Sequence, residues 1–172
     1  TIGRLAFRGP SMTAGYYHKP EATAAMTLAD GFLDSGDLAY VADGEIYVTG
    51  RKKDLIIKGG RNLVPQEIEE AAATVRGIRR GCVVAFGLPH PETGTERLVV
   101  VAETRTREEG ARDRLARDVT EAVAAAVEAP PDVVALVPPG AVPKTSSGKV
   151  RRADTRRLYE SGALGRTPPA RR

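Results

Sequence analysis

Cysteine is almost missing from this chain: its 172 residues include one, Cys82, which excludes an internal disulfide and a cysteine-rich zinc site. Histidine is nearly as scarce, with only His18 and His90, so an ordinary His-based metal centre is hard to build. No apolar run approaches the roughly 18 residues of a membrane-spanning helix. Thr1-Ile2-Gly3-Arg4 leads straight into a strand pattern, with neither an initiator Met nor the features of a signal peptide, and a cytoplasmic location is the expectation. The remaining composition is ordinary. Hydrophobic residues make up 41% and charged residues 28%, which argues against wholesale disorder. The length allows one domain, or one and part of another.

The net charge of +4 is unevenly spread. Residues 1–50 carry three basic and six acidic side chains, residues 51–143 carry fourteen of each, and residues 144–172 carry nine basic and two acidic. A basic tail suits nucleic acid, an anionic membrane surface or a phosphate-bearing small molecule, and local motifs must choose among them. Aromatic interleaving of the kind that stacks single-stranded bases is missing, since Tyr159 is the only aromatic residue in that segment.

Residues 1–50 read as the end of something larger. Gly3–Gly9 has the alternation of a short strand around Leu5 and Phe7. Leu38–Val41 and Ile46–Val48 flank Asp43-Gly44, a strong hairpin signal. So few core residues would not stabilise two or three strands alone, so truncation at the N-terminus is expected. From Asp54 the pattern becomes that of a small independent domain. Leu55-Ile56-Ile57 reads as a strand, Gly59-Gly60 as a turn, and Pro65 as the first residue of a helix with Glu67, Glu69 and Glu70 in its first turns. Residues 82–86, 98–102 and 133–137 are continuous apolar runs suited to buried strands. Leu115, Val119, Val123 and Val127 recur every fourth residue and mark one face of a helix between 108 and 129. A last helix is expected over about 150–159. Residues 164–172 have the composition of a linker or tail.

Three segments place Gly beside charged residues in loops, where backbone and a charged tip approach a ligand closely. They are Gly31–Leu38, which contains Asp34-Ser35-Gly36-Asp37; Gly50–Asn62, continuing to Pro65-Gln66-Glu67-Ile68-Glu69; and Pro143-Lys144-Thr145-Ser146-Ser147-Gly148-Lys149-Val150-Arg151-Arg152. In order and spacing these resemble the later signature motifs of the adenylate-forming superfamily, which includes acyl-CoA synthetases, fatty acyl-AMP ligases, luciferases and peptide-synthetase adenylation domains. The resemblance covers roughly residues 3–160. Gly60-Arg61-Asn62 with Pro65-Gln66, Gly81-Cys82, Glu96–Val101 and Pro143–Lys149 look most like fatty acyl-AMP ligases, with fatty acyl-CoA synthetases the alternative.

The resemblance implies an α+β fold. Residues 1–50 would close the large adenylating domain, 51–163 would form the small C-terminal lid with a β-hairpin and a three-stranded sheet packed with helices, and 164–172 would be a tail. It implies that fatty acid and ATP give an acyl-adenylate and pyrophosphate. Mg²⁺ would be bound mainly by the N-terminal domain, whose phosphate loop and acyl pocket lie outside this chain. The acyl group would pass to CoA or to the phosphopantetheine arm of an acyl carrier protein, and the chain alone would be inactive. Asp37 matches the aspartate that accepts the ATP ribose hydroxyls, and Arg51 an arginine near ribose and phosphates. Lys149 matches the lysine that reaches the acyl carboxylate and α-phosphate. Lys53 matches the hinge, and Gly60 a small residue near the pantetheine path.

The same residues also have plainer readings: a turn aspartate, a strand-end arginine, an exposed Lys-Lys-Asp turn, a hairpin glycine, a surface lysine. Asn62 stands where some relatives place an arginine toward the phosphate. Cys82 reads as a buried structural cysteine, and His90 as a loop residue with no second His nearby. A function of another class stays open: a non-catalytic module whose basic tail docks on nucleic acid or an acidic carrier protein. No nucleic-acid partner, membrane span or metal site is expected on the superfamily reading.

Overall fold

The computed structural model describes residues 1–90 and 94–165 and divides the chain into two compact units, Thr1–Asp54 and one that begins at Leu55. In the first, β1 (Gly3–Phe7), β2 (Leu33–Ala42) and β3 (Glu45–Arg51) form an antiparallel sheet in that order. The hairpin turn falls at Asp43-Gly44, where Asp43 takes φ 51° and Ala42 pairs with Glu45. A short helix, α1 (Pro20–Met26), joins β1 to β2 and was not anticipated; its signals are Pro at the first turn and the following Ala-rich run. Leu33 and Ala39 are the buried hydrophobic residues of this unit, while Val41, Ile46 and Val48 stay exposed. A turn of 3₁₀ helix over Lys52–Asp54 ends it.

The second unit opens with a hairpin of β4 (Ile56–Lys58) and β5 (Arg61–Leu63), then α2 (Pro65–Thr74), β6 (Ile78–Pro89), β7 (Glu96–Thr104), α3 (Glu109–Val127), β8 (Val133–Val137) and α4 (Arg152–Glu160). The main sheet runs β6-β7-β8, with β6 antiparallel and β8 parallel to β7. The parallel pair requires the crossover that α3 supplies. Residues 83, 85, 98, 100 and 102 face the side packed with Ile68, Leu115, Val119 and Val123; residues 84, 86, 99 and 101 face the side closed by Val137, Val142, Tyr159 and Leu164. Burial on both faces explains why these strands read as unbroken apolar runs instead of alternating patterns.

Three boundaries move. β6 starts at Ile78 rather than Cys82, because Ile78 pairs with Thr104 across a bulge before the regular ladder resumes at Val83. α4 starts at Arg152, since Val150 is held in a bridge with Lys144. Leu164, placed by composition in the tail, packs against the sheet core, and its N–H donates to the Leu158 carbonyl. The rest of that tail, residues 166–172, lies outside the described residues.

Candidate active site

In the first unit the Asp34–Asp37 segment organises its own backbone. The Ser35 hydroxyl donates to the Leu5 carbonyl at 2.9 Å and accepts from the Asp37 N–H at 3.1 Å. Asp34 accepts from the Gly36 N–H at 2.8 Å. Asp37 then stands directly opposite Arg51 in the β2–β3 ladder, and the Arg51 Nε lies 3.3 Å from Asp37 Oδ1. The sequence motifs that named these two residues separately are thus one ion pair, half-open to solvent. Lys53 sits in the 3₁₀ turn two residues before the boundary between the units.

In the second unit, Gly60 is the second central residue of the β4–β5 turn. Gly59 and Gly60 have φ of 57° and 76°, the two positive values that a type I′ hairpin needs. The hairpin is fastened by side chains the sequence reading had not singled out for this. Thr95 Oγ1 accepts from the Gly59 N–H at 3.0 Å and donates to the Ile57 carbonyl at 2.9 Å, and Glu96 accepts from the Ile57 N–H at 2.7 Å. Lys58 Nζ donates to Asp132 at 2.5 Å and to the Pro130 carbonyl at 2.9 Å. Burial pushes the Asp132 carboxyl up, but Lys58, the Leu98 N–H and Arg97 together hold it below its ordinary value.

Lys149 closes a tight loop between β8 and α4. Thr145 organises it: its N–H donates to the Lys149 carbonyl at 2.8 Å, its carbonyl accepts from the Gly148 N–H at 2.9 Å, and its hydroxyl accepts from the Lys149 N–H at 3.1 Å. Gly148 takes φ 82°, a left-handed conformation that disfavours any side chain and fixes the bend before Lys149. Lys149 lines a groove of about 430 Å³ whose other walls include Gln66 and Glu69 from α2, Gly81 and Val83 from β6, and Arg152. The Gln66 Oε1 is buried there, with no hydrogen-bond partner among the described residues. Lys149 and Gly60 therefore occupy different parts of one unit, and the Asp37–Arg51 pair belongs to the other.

The excess positive charge of the tail does not form a free basic stripe on α4. Arg151 and Arg157 both pair with Asp154, Arg152 with Glu69 and Arg156 with Glu160. Among the described residues no group of three or more His, Cys, Asp or Glu is placed to hold a metal ion, so no residue is assigned to Mg²⁺. No described helix is long and apolar enough to cross a membrane. Cys82 is buried, and its thiol is among the groups that hold the Glu103 carboxyl below its ordinary value.

No protein-family model matches the chain. Individual proteins do. A Caulobacter vibrioides protein provisionally named as an acyl-CoA synthetase is 40% identical over 168 residues, which is 95% of this chain and 28% of that protein. A long-chain-fatty-acid–AMP ligase of Mycobacterium marinum is 34% identical over 96% of this chain and 30% of its own length. Among solved structures, the fatty acyl-adenylate ligases of E. coli and L. pneumophila give a TM-score of 0.75 at 34% identity over 94% of this chain and 28% of that one. A multidomain structure of a keto acid-selecting peptide-synthetase module, with adenylation and ketoreductase domains, gives 0.85 at 31% identity, over 95% of this chain and 14% of that one. The chain thus spans less than a third of the relatives it matches. Its mixed α+β fold, with small sheets and four α-helices among the described residues, is that of an adenylation enzyme's C-terminal region. In sequence and in structure the chain matches the C-terminal region of adenylate-forming enzymes, fatty acid–AMP ligases and acyl-CoA synthetases among them.

Proposed function

We propose that this chain is the C-terminal part of an ATP-dependent, AMP-forming ligase that adenylates a fatty acid and hands the acyl group to a carrier protein or to CoA. The observation that carries the reading is the position of Lys149 at the closing end of a self-bonded loop beside a groove, in a chain similar along almost its whole length to fatty acid–AMP ligases. A carboxylate oxygen attacks the α-phosphorus of ATP, and the bond to the pyrophosphate oxygen breaks, giving acyl-adenylate and pyrophosphate. Two anions must meet for this to happen. The Lys149 ammonium offsets their repulsion and the charge that develops on the phosphoryl oxygens. Asp37 accepts hydrogen bonds from the ribose hydroxyls, and Arg51, whose planar fork suits vicinal acceptors, lies near the ribose and phosphates. Lys53 is the hinge and Gly60 borders the pantetheine path, where a hairpin turn without side chains lets a slim arm pass.

The fatty acid–AMP ligase reading is preferred to the acyl-CoA synthetase one on the wording of Gly60-Arg61-Asn62 and Pro143–Lys149. The test uses the intact enzyme that carries this chain, supplied with a medium-chain fatty acid, ATP and Mg²⁺, with and without CoA, its products identified by mass spectrometry. Acyl-adenylate that accumulates regardless of CoA is the expected result. Conversion to acyl-CoA would make it a synthetase, and absence of both products with every acid tried would refute the adenylation reading.

A further inference from the structure

Glu103 is the one charged side chain that is fully buried among the described residues, 1% exposed. A carboxylate is not retained in such a position unless its charge is met on every side. It lies at the end of β7, the central strand of the main sheet, opposite Val137 of β8. One oxygen pairs with Arg79 of β6. The other accepts from two backbone N–H groups, Gly140 and Val142, each at 2.9 Å, in the segment that follows β8. That segment leads directly to Pro143, whose carbonyl accepts from the Arg151 N–H at 2.9 Å and closes the neck of the Lys149 loop. On the exit side, Arg152 donates to the Ala85 carbonyl at 3.0 Å and to Glu69 at 2.8 Å, while the same Glu69 oxygen accepts from the Ala85 N–H at 2.9 Å. The loop is thus suspended from the sheet at two anchors, with Thr145 to Lys149 exposed between them.

Stability alone does not call for this arrangement, because a buried ion pair is often replaced by apolar residues at no loss. What an apolar residue at 103 could not do is bind two specific N–H groups and so fix where the chain enters the loop. We infer that Glu103 and Arg152 are positioning residues for Lys149: they hold the entry and exit of its loop so that the ammonium meets the reacting groups during adenylation. The inference rests on the adenylation reading above.

The test separates the two half-reactions in the intact enzyme. Adenylation is followed by ATP–pyrophosphate exchange with a fatty acid, and transfer by supplying prepared acyl-adenylate with the acceptor, CoA or a carrier protein. Glu103→Met is expected to lower adenylation about 100-fold, the cost of an ångström-scale misplacement, while transfer stays near wild type. Glu103→Gln keeps an oxygen for the two N–H groups and should recover most of the loss. In a Lys149→Ala background, Glu103→Met should cost adenylation nothing further, since both changes remove one effect. Equal losses in both half-reactions, or losses that multiply in the double variant, would overturn the inference. Should Glu103→Met fail to fold, Arg152→Met at the less buried anchor carries the same expectations and the same contradicting outcomes. A wild-type enzyme that forms no acyl-adenylate would instead defeat the adenylation reading itself.

Discussion

At Glu103 the penalty for leaving water is met by a guanidinium, a thiol and two backbone N–H groups. Burial pushes this carboxyl up, but Val142, Gly140, Cys82 and Arg79 outweigh it and leave the carboxyl below its ordinary 4.5. Asp132 is likewise held below its ordinary 3.8. Just below these values the unfolded chain binds more protons than the folded one, so stability falls as pH falls. The contribution is complete above the unfolded values and disappears as pH drops through the depressed folded ones. Acid unfolding followed by circular dichroism should therefore show Tm falling as pH drops below about 5, and Glu103→Gln should reduce that fall. An unchanged slope in that variant would mean that Glu103 does not supply the linkage. Asp37 and Arg51 belong to a different category. Their 3.3 Å pair is half-open to solvent and contributes at most about 1 kcal/mol to stability, so on the proposed function its part is to orient the two side chains.

Among the elements, the β4–β5 hairpin shows how a short strand pair is kept in register by side chains from elsewhere. Glu96 lies across Gly87, where a Cβ would come within 2.4–2.9 Å of its carboxylate, and this closeness lets it reach the Ile57 N–H. Gly87→Ala should displace that carboxylate, release one hydrogen bond of about 1 kcal/mol and speed amide exchange at Ile57 several-fold, with the main sheet unchanged. Exchange at Ile57 that matches wild type would contradict this role. Elements of this kind mark the limit of legibility in the sequence. The helix stripe at Leu115, Val119, Val123 and Val127, the Asp43-Gly44 and Gly59-Gly60 turns and the strand at 133–137 were readable because each depends on local chemistry or on a repeat of fixed period. The bulge after Ile78, the edge of β6 closed at Ala85 by Glu69 and Arg152, and the role of Glu103 were not. Each joins residues 16 to 83 positions apart, and such pairing leaves no periodic trace. The candidate site was legible in the same uneven way. Lys149 and Asp37 stood out through Gly-rich motifs, whereas Thr145, which ties its loop shut, looked like one polar residue among several.

For the whole molecule the division after Asp54 matters most, because the ribose-binding candidates and Lys149 belong to different units. On the proposed function the two half-reactions need a pivot, and Lys53, in the 3₁₀ turn at the boundary, is the residue proposed for it. Lys53→Pro, which fixes φ at the pivot, should leave adenylation nearly intact and slow transfer to the acceptor about tenfold or more, a barrier change of about 1.4 kcal/mol. Stopped-flow assays of the two half-reactions would check it, and equal rates of transfer in variant and wild type would remove Lys53 from the hinge. In the intact enzyme, ATP–pyrophosphate exchange with a fatty acid should fall about 100- to 1000-fold on Lys149→Ala, the scale for removing one charge-stabilising donor. Exchange at the wild-type rate in that variant would contradict the account.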